Sequence, residues 1–171
     1  MIRINDITHS YMYLVLGNEH HLLIDTGAGV GNLKQYLVQE GFDPSKITVA
    51  LTHGHVDHVG GASAFSTVYL SSLDWELYQE HVDLEARKYF TAHVLGEDYP
   101  LDELDFMEPA PIEFRDLKDK QMFHLGGLDV MAIAVPGHTQ GFMCFLILQE
   151  KMMLLGDACN KSVFLFFPES T

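Results

Sequence analysis

Four apolar runs in this chain each end in aspartate or histidine beside glycine: HLLI runs into DTG, ITVAL into THGHVDH, VMAIAV into PGHT, and MMLL into GDA. Short runs of aliphatic and β-branched residues bounded by turn residues read as buried strands. Glycine permits tight turns and close backbone approach, and loops held at the ends of a rigid scaffold are common places for chemistry. A chain that repeats this pattern is suited to gathering its polar strand ends into one site.

Between these runs the pattern alternates. Residues 10–16 and 20–25 form a predicted hairpin about Gly17-Asn18-Glu19. Val30, Leu33 and Leu37 keep helical spacing up to Gly41, a C-terminal cap residue. After the Asp43-Pro44 turn, a short strand from Ile47 to Leu51 delivers Thr52 and the histidines, and Thr67 to Leu70 is another strand. Ser71 with Asp74 resembles a capping box that opens a single helix, in which Trp75, Tyr78, Val82, Ala86, Tyr89 and His93 recur every three to four residues. Residues 96–120 are acidic, contain Pro100, Pro109 and Pro111, and read as loop. Three more strands are expected at Leu128–Val135, Phe142–Leu148 and Met152–Leu155. The class is α/β, and residues 1–171 suit one domain.

Composition excludes several functions. An apolar content of 47% with 20% charged residues is that of a soluble globular protein. No apolar run is long enough to span a membrane, and the start MIRINDITHSYMYLVLG lacks the zones of a secretory signal. Cys144 and Cys159 make no disulfide framework, so a reducing cytoplasm is expected. A formal charge of −14 argues against nucleic acid as partner, since phosphate binding draws on clustered Lys and Arg. A small molecule is the expected substrate.

THGHVDHVGG carries the densest chemistry. His53 and His55 are two apart, so in extended backbone both rings point to the same side and can share one cation. Val56 turns the chain, and Asp57-His58 can then reach a second cation. Imidazole and carboxylate suit zinc, with iron and manganese as alternatives. His138 and Asp157, each in a glycine-flanked loop at a strand end, extend the set.

The order LIDTG, THGHVDH, PGHTQG, LLGDA resembles the successive motifs of the metallo-β-lactamase superfamily, over about Ile4 to Asp157. That resemblance implies an αββα four-layer sandwich with a binuclear metal site in a groove at one edge of the sheets. It implies that His53, His55 and His138 hold the first ion, that Asp57 and His58 hold the second, and that Asp157 bridges them. Asp25 matches the acidic residue beneath the site, where it would steady the histidines. A water bridging two divalent ions loses its proton near neutral pH, which implies hydrolysis of a carbonyl compound: thioester, lactone or ester, after the manner of the hydroxyacylglutathione hydrolases. Asp57 would orient the hydroxide as the catalytic residue. The flavin-linked diiron branch places an acidic residue where His55 stands, which counts against a redox role.

One element departs from the family pattern. The family carries a further histidine beyond the position of Asp157, and none follows it here. The sequence ends in SVFLFFPEST, so the expectation is a sandwich lacking its last strands and helix, with Val163–Phe167 prone to pair with a second copy. A non-catalytic fold member acting in binding is the competing reading. Arg87, Lys88 and Lys161 are the candidate cations for the carboxylates of a glutathione thioester. His81 and the histidines outside the motifs read as structural or solvated, Cys159 as a buried thiol, and Trp75, Tyr78, Tyr89 and Phe90 as core sooner than as the lining of a substrate pocket over the groove.

Overall fold

A computed structural model describes residues 1–96, 98–159 and 170. Strands β1 (Ile2–Asn5), β2 (Tyr11–Leu16), β3 (His21–Ile24), β4 (Ile47–Ala50), β5 (Thr67–Leu70) and β6 (Glu113–Asp116) form one sheet in that order. β1–β2–β3 pair antiparallel, whereas β3–β4–β5–β6 pair parallel. A second sheet, all antiparallel, runs β10 (Met152–Leu154), β9 (Met143–Ile147), β8 (Asp129–Ala134), β7 (Met122–His124). The helices are α1 (Leu33–Gln39), α2 (Val56–Val59), α3 (Trp75–His81) and α4 (Leu84–Leu95).

Strand alternation builds two cores. Leu14, Leu23, Val49 and Val68 meet Leu37, Val59, Tyr78 and Val82 of the helical layer. The opposite faces, Val15, Leu22, Ile24 and Ala50, meet Val130, Ala132, Phe145 and Ile147 of the second sheet. β3 is buried on both faces, which explains why HLLI reads as a continuous apolar run. Each fully buried leucine of these layers contributes on the order of 2 kcal/mol of transfer free energy. The described residues thus supply three layers of the expected sandwich: helices, six-stranded sheet, four-stranded sheet. Residues 160–169, including Lys161 and the apolar run, lie outside the described residues.

Local chemistry sets the element ends. Asn32 caps α1 by accepting the Gln35 amide, and Gly41 follows it at φ +90. The expected single helix after Ser71 is broken: a 3-10 turn at Ser72–Asp74 leads into α3, and a new cap stops it. Asp83 accepts the amides of Glu85 and Ala86 and so caps the start of α4. The expected loop at 96–120 contains β6, an edge strand whose one apolar residue, Phe114, gives almost no hydrophobic pattern. No helix among the described residues is long and apolar enough to cross a membrane.

Candidate metal centre

The two sheets converge where β4 ends. The Met143 amide, opening β9, donates to the Thr52 carbonyl at 2.8 Å, so the loops after β3, β4, β8 and β10 meet at this edge. Asp25 follows β3 at φ +64, a left-handed conformation that Asp adopts more readily than most residues. The carboxylate is buried and accepts the Thr52 amide at 2.7 Å and the Thr52 hydroxyl at 2.9 Å.

Thr52 and Asp25 fix the histidine tautomers. His58 Nδ1 lies 2.9 Å from Asp25 Oδ2 and must donate to it. The Thr52 hydroxyl spends its proton on Asp25, so at 3.0 Å it accepts from His53 Nδ1. With Nδ1 committed as donor in both rings, Nε2 is the nitrogen each turns inward and the one that would face a cation.

Three nitrogens converge on this point. His53 Nε2 lies 3.0 Å from His55 Nδ1, which lies 2.9 Å from His138 Nε2. All three rings are buried, and Phe142 stacks behind His53 at 4.8 Å between centroids. Three lone pairs at this separation repel unless a cation or a proton lies among them. Burial, then the neighbouring imidazoles, push His53 well below the ordinary histidine value, so a proton is a poor occupant. A divalent cation with nitrogen ligands fits.

A second donor group shares His53 with the first: His53, His58 and Asp157 bring one ligand atom each within 4.8 Å of one another. Asp157 Oδ2 stands 3.5 Å from both His58 Nε2 and His138 Nε2, between the two groups. His58 Nε2 is buried without a hydrogen-bond partner. A buried imidazole nitrogen that faces carboxylates without a hydrogen bond is a fitting cation ligand. Asp57 borders this second group rather than completing it, with Oδ2 3.3 Å from His58 Nε2 and 3.3 Å from the Ser10 hydroxyl that donates to it. Burial opposes ionisation of Asp57, but the His58 charge beside it outweighs that and holds the carboxyl below its ordinary range. Burial likewise opposes charge on His58, and the carboxylates of Asp57 and Asp25 overcome it, raising His58 well above the ordinary value.

Beside these groups lies a groove of about 470 Å³. Asp25, Asp57, His58 and Asp157 form its polar wall; Tyr11, Phe90, Met153 and Leu155 are among its apolar residues, and no Lys or Arg lines it among the described residues. The structure corrects three expectations here. Arg87 is not available to a substrate: it is fully buried and donates to the carbonyls of Val82, Gly29, Gly60 and Met107. Phe90 lines the groove instead of the core, and Tyr89 is 77% exposed. Cys159 is exposed, not a buried thiol.

Asp74 and His81 were legible only as a helix cap and a structural histidine. Asp74 is buried and accepts the Gly54 amide, the Thr139 hydroxyl and the Gly141 amide. His81 Nδ1 accepts the Val56 amide, and its ring stacks on His55. No sequence signal marks either role beyond the capping pattern at Ser71.

Comparison with known proteins agrees with this geometry. Residues 6–162 match the profile of the metallo-beta-lactamase superfamily. An atrochrysone carboxyl ACP thioesterase of Claviceps purpurea is 28% identical over 147 residues, covering 85% of this chain and 38% of that protein. The acyl-coenzyme A thioesterase MBLAC2 of Gallus gallus is 26% identical over 155 residues, covering 85% of this chain and 56% of that one. The chain therefore spans well under two thirds of the length of these relatives. Among solved structures, TTHA1623 in a di-iron-bound form matches with a TM-score of 0.70 at 26% identity, covering 99% of this chain and 79% of that one.

Proposed function

The chain belongs to the metallo-beta-lactamase superfamily, and from that premise we propose that it is a metal-dependent hydrolase acting on thioesters. The observation that carries the reading is the pair of donor groups that meet at His53, with His58 Nε2 buried and facing two carboxylates. His53, His55 and His138 would hold one divalent ion. Asp57 and His58 would hold the other, with Asp157 between them. Bound there, the ions supply Lewis acidity toward a carbonyl and bring the pKa of water toward neutrality.

The chain's own residues do the rest. Asp25 holds one His58 proton at Nδ1, so that Nε2 is the nitrogen that would give up its proton to a cation. Asp57, held ionised and steadied by Ser10, can accept a hydrogen bond from a water and so orient it. Thioesters are favoured because the chain is similar to relatives so named and because a thiolate leaves without needing a proton donor. The apolar side of the groove suits an acyl arm. A glutathione thioester, with its carboxylates, is not the substrate proposed: Arg87 is buried and the groove lining offers no cation among the described residues.

Zinc is the proposed metal, and iron is the alternative that the di-iron-bound neighbour supports. A small molecule and a cytoplasmic setting complete the reading. Elemental mass spectrometry of chelator-free protein should find about two divalent ions per chain, and thiol release from an acyl thioester should be abolished by His55→Ala with the fold intact. Metal without turnover on any thioester would overturn the substrate class. Iron with a visible absorption band and no hydrolysis would favour a redox protein instead.

A further inference from the structure

The segment from Ser72 to His81, a 3-10 turn continued by α3, lies outside every motif, yet its two ends grip both ligand-bearing loops. At its start, Asp74 is 1% exposed, and its two oxygens divide their bonds between those loops. Oδ2 accepts the Gly54 amide at 3.0 Å and the Thr139 hydroxyl at 2.7 Å; Oδ1 accepts the Gly141 amide at 2.7 Å. Gly54 stands between His53 and His55, and Thr139 follows His138. The carboxylate is thus a direct bridge between the two chain segments that supply the three converging nitrogens.

The packing leaves no slack around this bridge. A Cβ at Gly141 would come within 2.7 Å of the Asp74 carboxylate carbon, and one at Gly54 would meet the Asp74 carbonyl at 3.0 Å and the Leu77 side chain at 3.1 Å. Both loops reach Asp74 only because glycine faces it. At the other end, His81 Nδ1 accepts the Val56 amide at 3.1 Å, and its ring stacks on His55 at 5.3 Å with 25° between planes. The acceptance at Nδ1 and the stack together fix both the chain after His55 and the orientation of its ring.

We propose that Asp74 and His81 are positioning residues for the His53–His55–His138 group: Asp74 sets the separation of the two loops, His81 sets the plane of the His55 ring, and the rigid helix between them makes the two constraints one. This rests on the reading of that group as a metal site. The separation matters because three imidazoles share an ion only within a few tenths of an ångström of ligand distance, and groups that orient ligands commonly govern affinity by roughly 10–100-fold.

The test uses the full chain with cobalt(II) as probe, following the visible ligand-field bands and the affinity of the first equivalent by chelator competition. Asp74→Asn turns an NH2 against amide or hydroxyl donors, and His81→Ala removes the stack and the acceptor. Each should weaken the first equivalent by roughly 10–100-fold and shift the cobalt bands. His81→Phe, which keeps the stack, should retain more of the wild-type spectrum than His81→Ala. Thr139→Val, which removes one bond of the bridge without touching a ligand, provides the readout if Asp74→Asn fails to fold. Variants that melt lower but bind cobalt with wild-type affinity and spectrum would make both residues merely structural and overturn the proposal. Wild-type protein that binds no cobalt would overturn the metal reading and this inference with it.

Discussion

Asp25 Oδ2 lies 2.9 Å from His58 Nδ1, and this pair decides which nitrogen of His58 faces the site. Asp25→Asn separates that effect from backbone strain, because Asn tolerates the left-handed φ of +64 as Asp does. The Asn amide can donate to Nδ1 and drive the proton to Nε2, where it opposes a cation. Metal affinity should fall by roughly 10–100-fold with the fold retained. Chelator competition gives the answer, and wild-type affinity in the Asn variant would exclude tautomer control.

Arg87 should matter to stability rather than to catalysis. Its guanidinium is enclosed with four carbonyls as partners and ties the loop at Gly29 to the loop at Gly60 and to Met107. Burial lowers its pKa, with Glu108 and Asp83 acting against that. Arg87→Ala strands those carbonyls and leaves a void, at a cost of about 3 kcal/mol or more. Arg87→Lys should recover little, because one ammonium cannot replace the planar fork. Urea unfolding would measure both, and a loss under about 1 kcal/mol for the Ala variant would mean the carbonyls find other partners.

The loops that form the site were legible because Asp, His and glycine recur at strand ends, a pattern that survives without neighbours: the structure brings Asp25, His53, His55, His58, His138 and Asp157 together there. From the sequence Asp57 reads as a ligand of the second ion, and the structure sets it against His58, beside the tight donor groups. Asp74 and His81 were not legible, since a bridging carboxylate is defined by loops that are distant in sequence: Gly141 lies 67 residues from Asp74. The break between α3 and α4 was hidden because apolar spacing runs straight through Asp83, and only its cap bonds reveal the stop. Arg87 misled for a similar reason: charge argues for exposure until the carbonyls that enclose it are seen.

The two cysteines should differ sharply in reactivity. Burial pushes the Cys144 thiol up to about 11, with Cys159 adding to the effect, and its sulfur donates to the Leu155 carbonyl. At pH 8 the thiolate is then roughly one part in a thousand. Iodoacetamide should label the exposed Cys159 and spare Cys144 until denaturant is added. Peptide mass mapping would show it, and labelling of both at similar rates in the native protein would contradict the burial of Cys144.

The metal-free protein should be most stable near the ordinary histidine value of 6.5, on the contributions of two buried rings of opposite sign. His53 has a folded pKa well below 6.5, so from that folded value up to 6.5 the unfolded chain binds the extra proton, and stability rises with pH. His58 has a folded pKa well above 6.5, so its contribution is fully present below 6.5 and is lost as pH rises through the folded value. Each limb has a slope of about 1.4 kcal/mol per pH unit for one proton. Cation binding requires the neutral His58 Nε2, so the loaded protein holds no extra proton above 6.5 and the falling limb should vanish. Denaturant titrations across pH, with and without zinc, test this directly. A falling limb that persists unchanged in saturating zinc would mean that the ion binds without displacing the His58 proton.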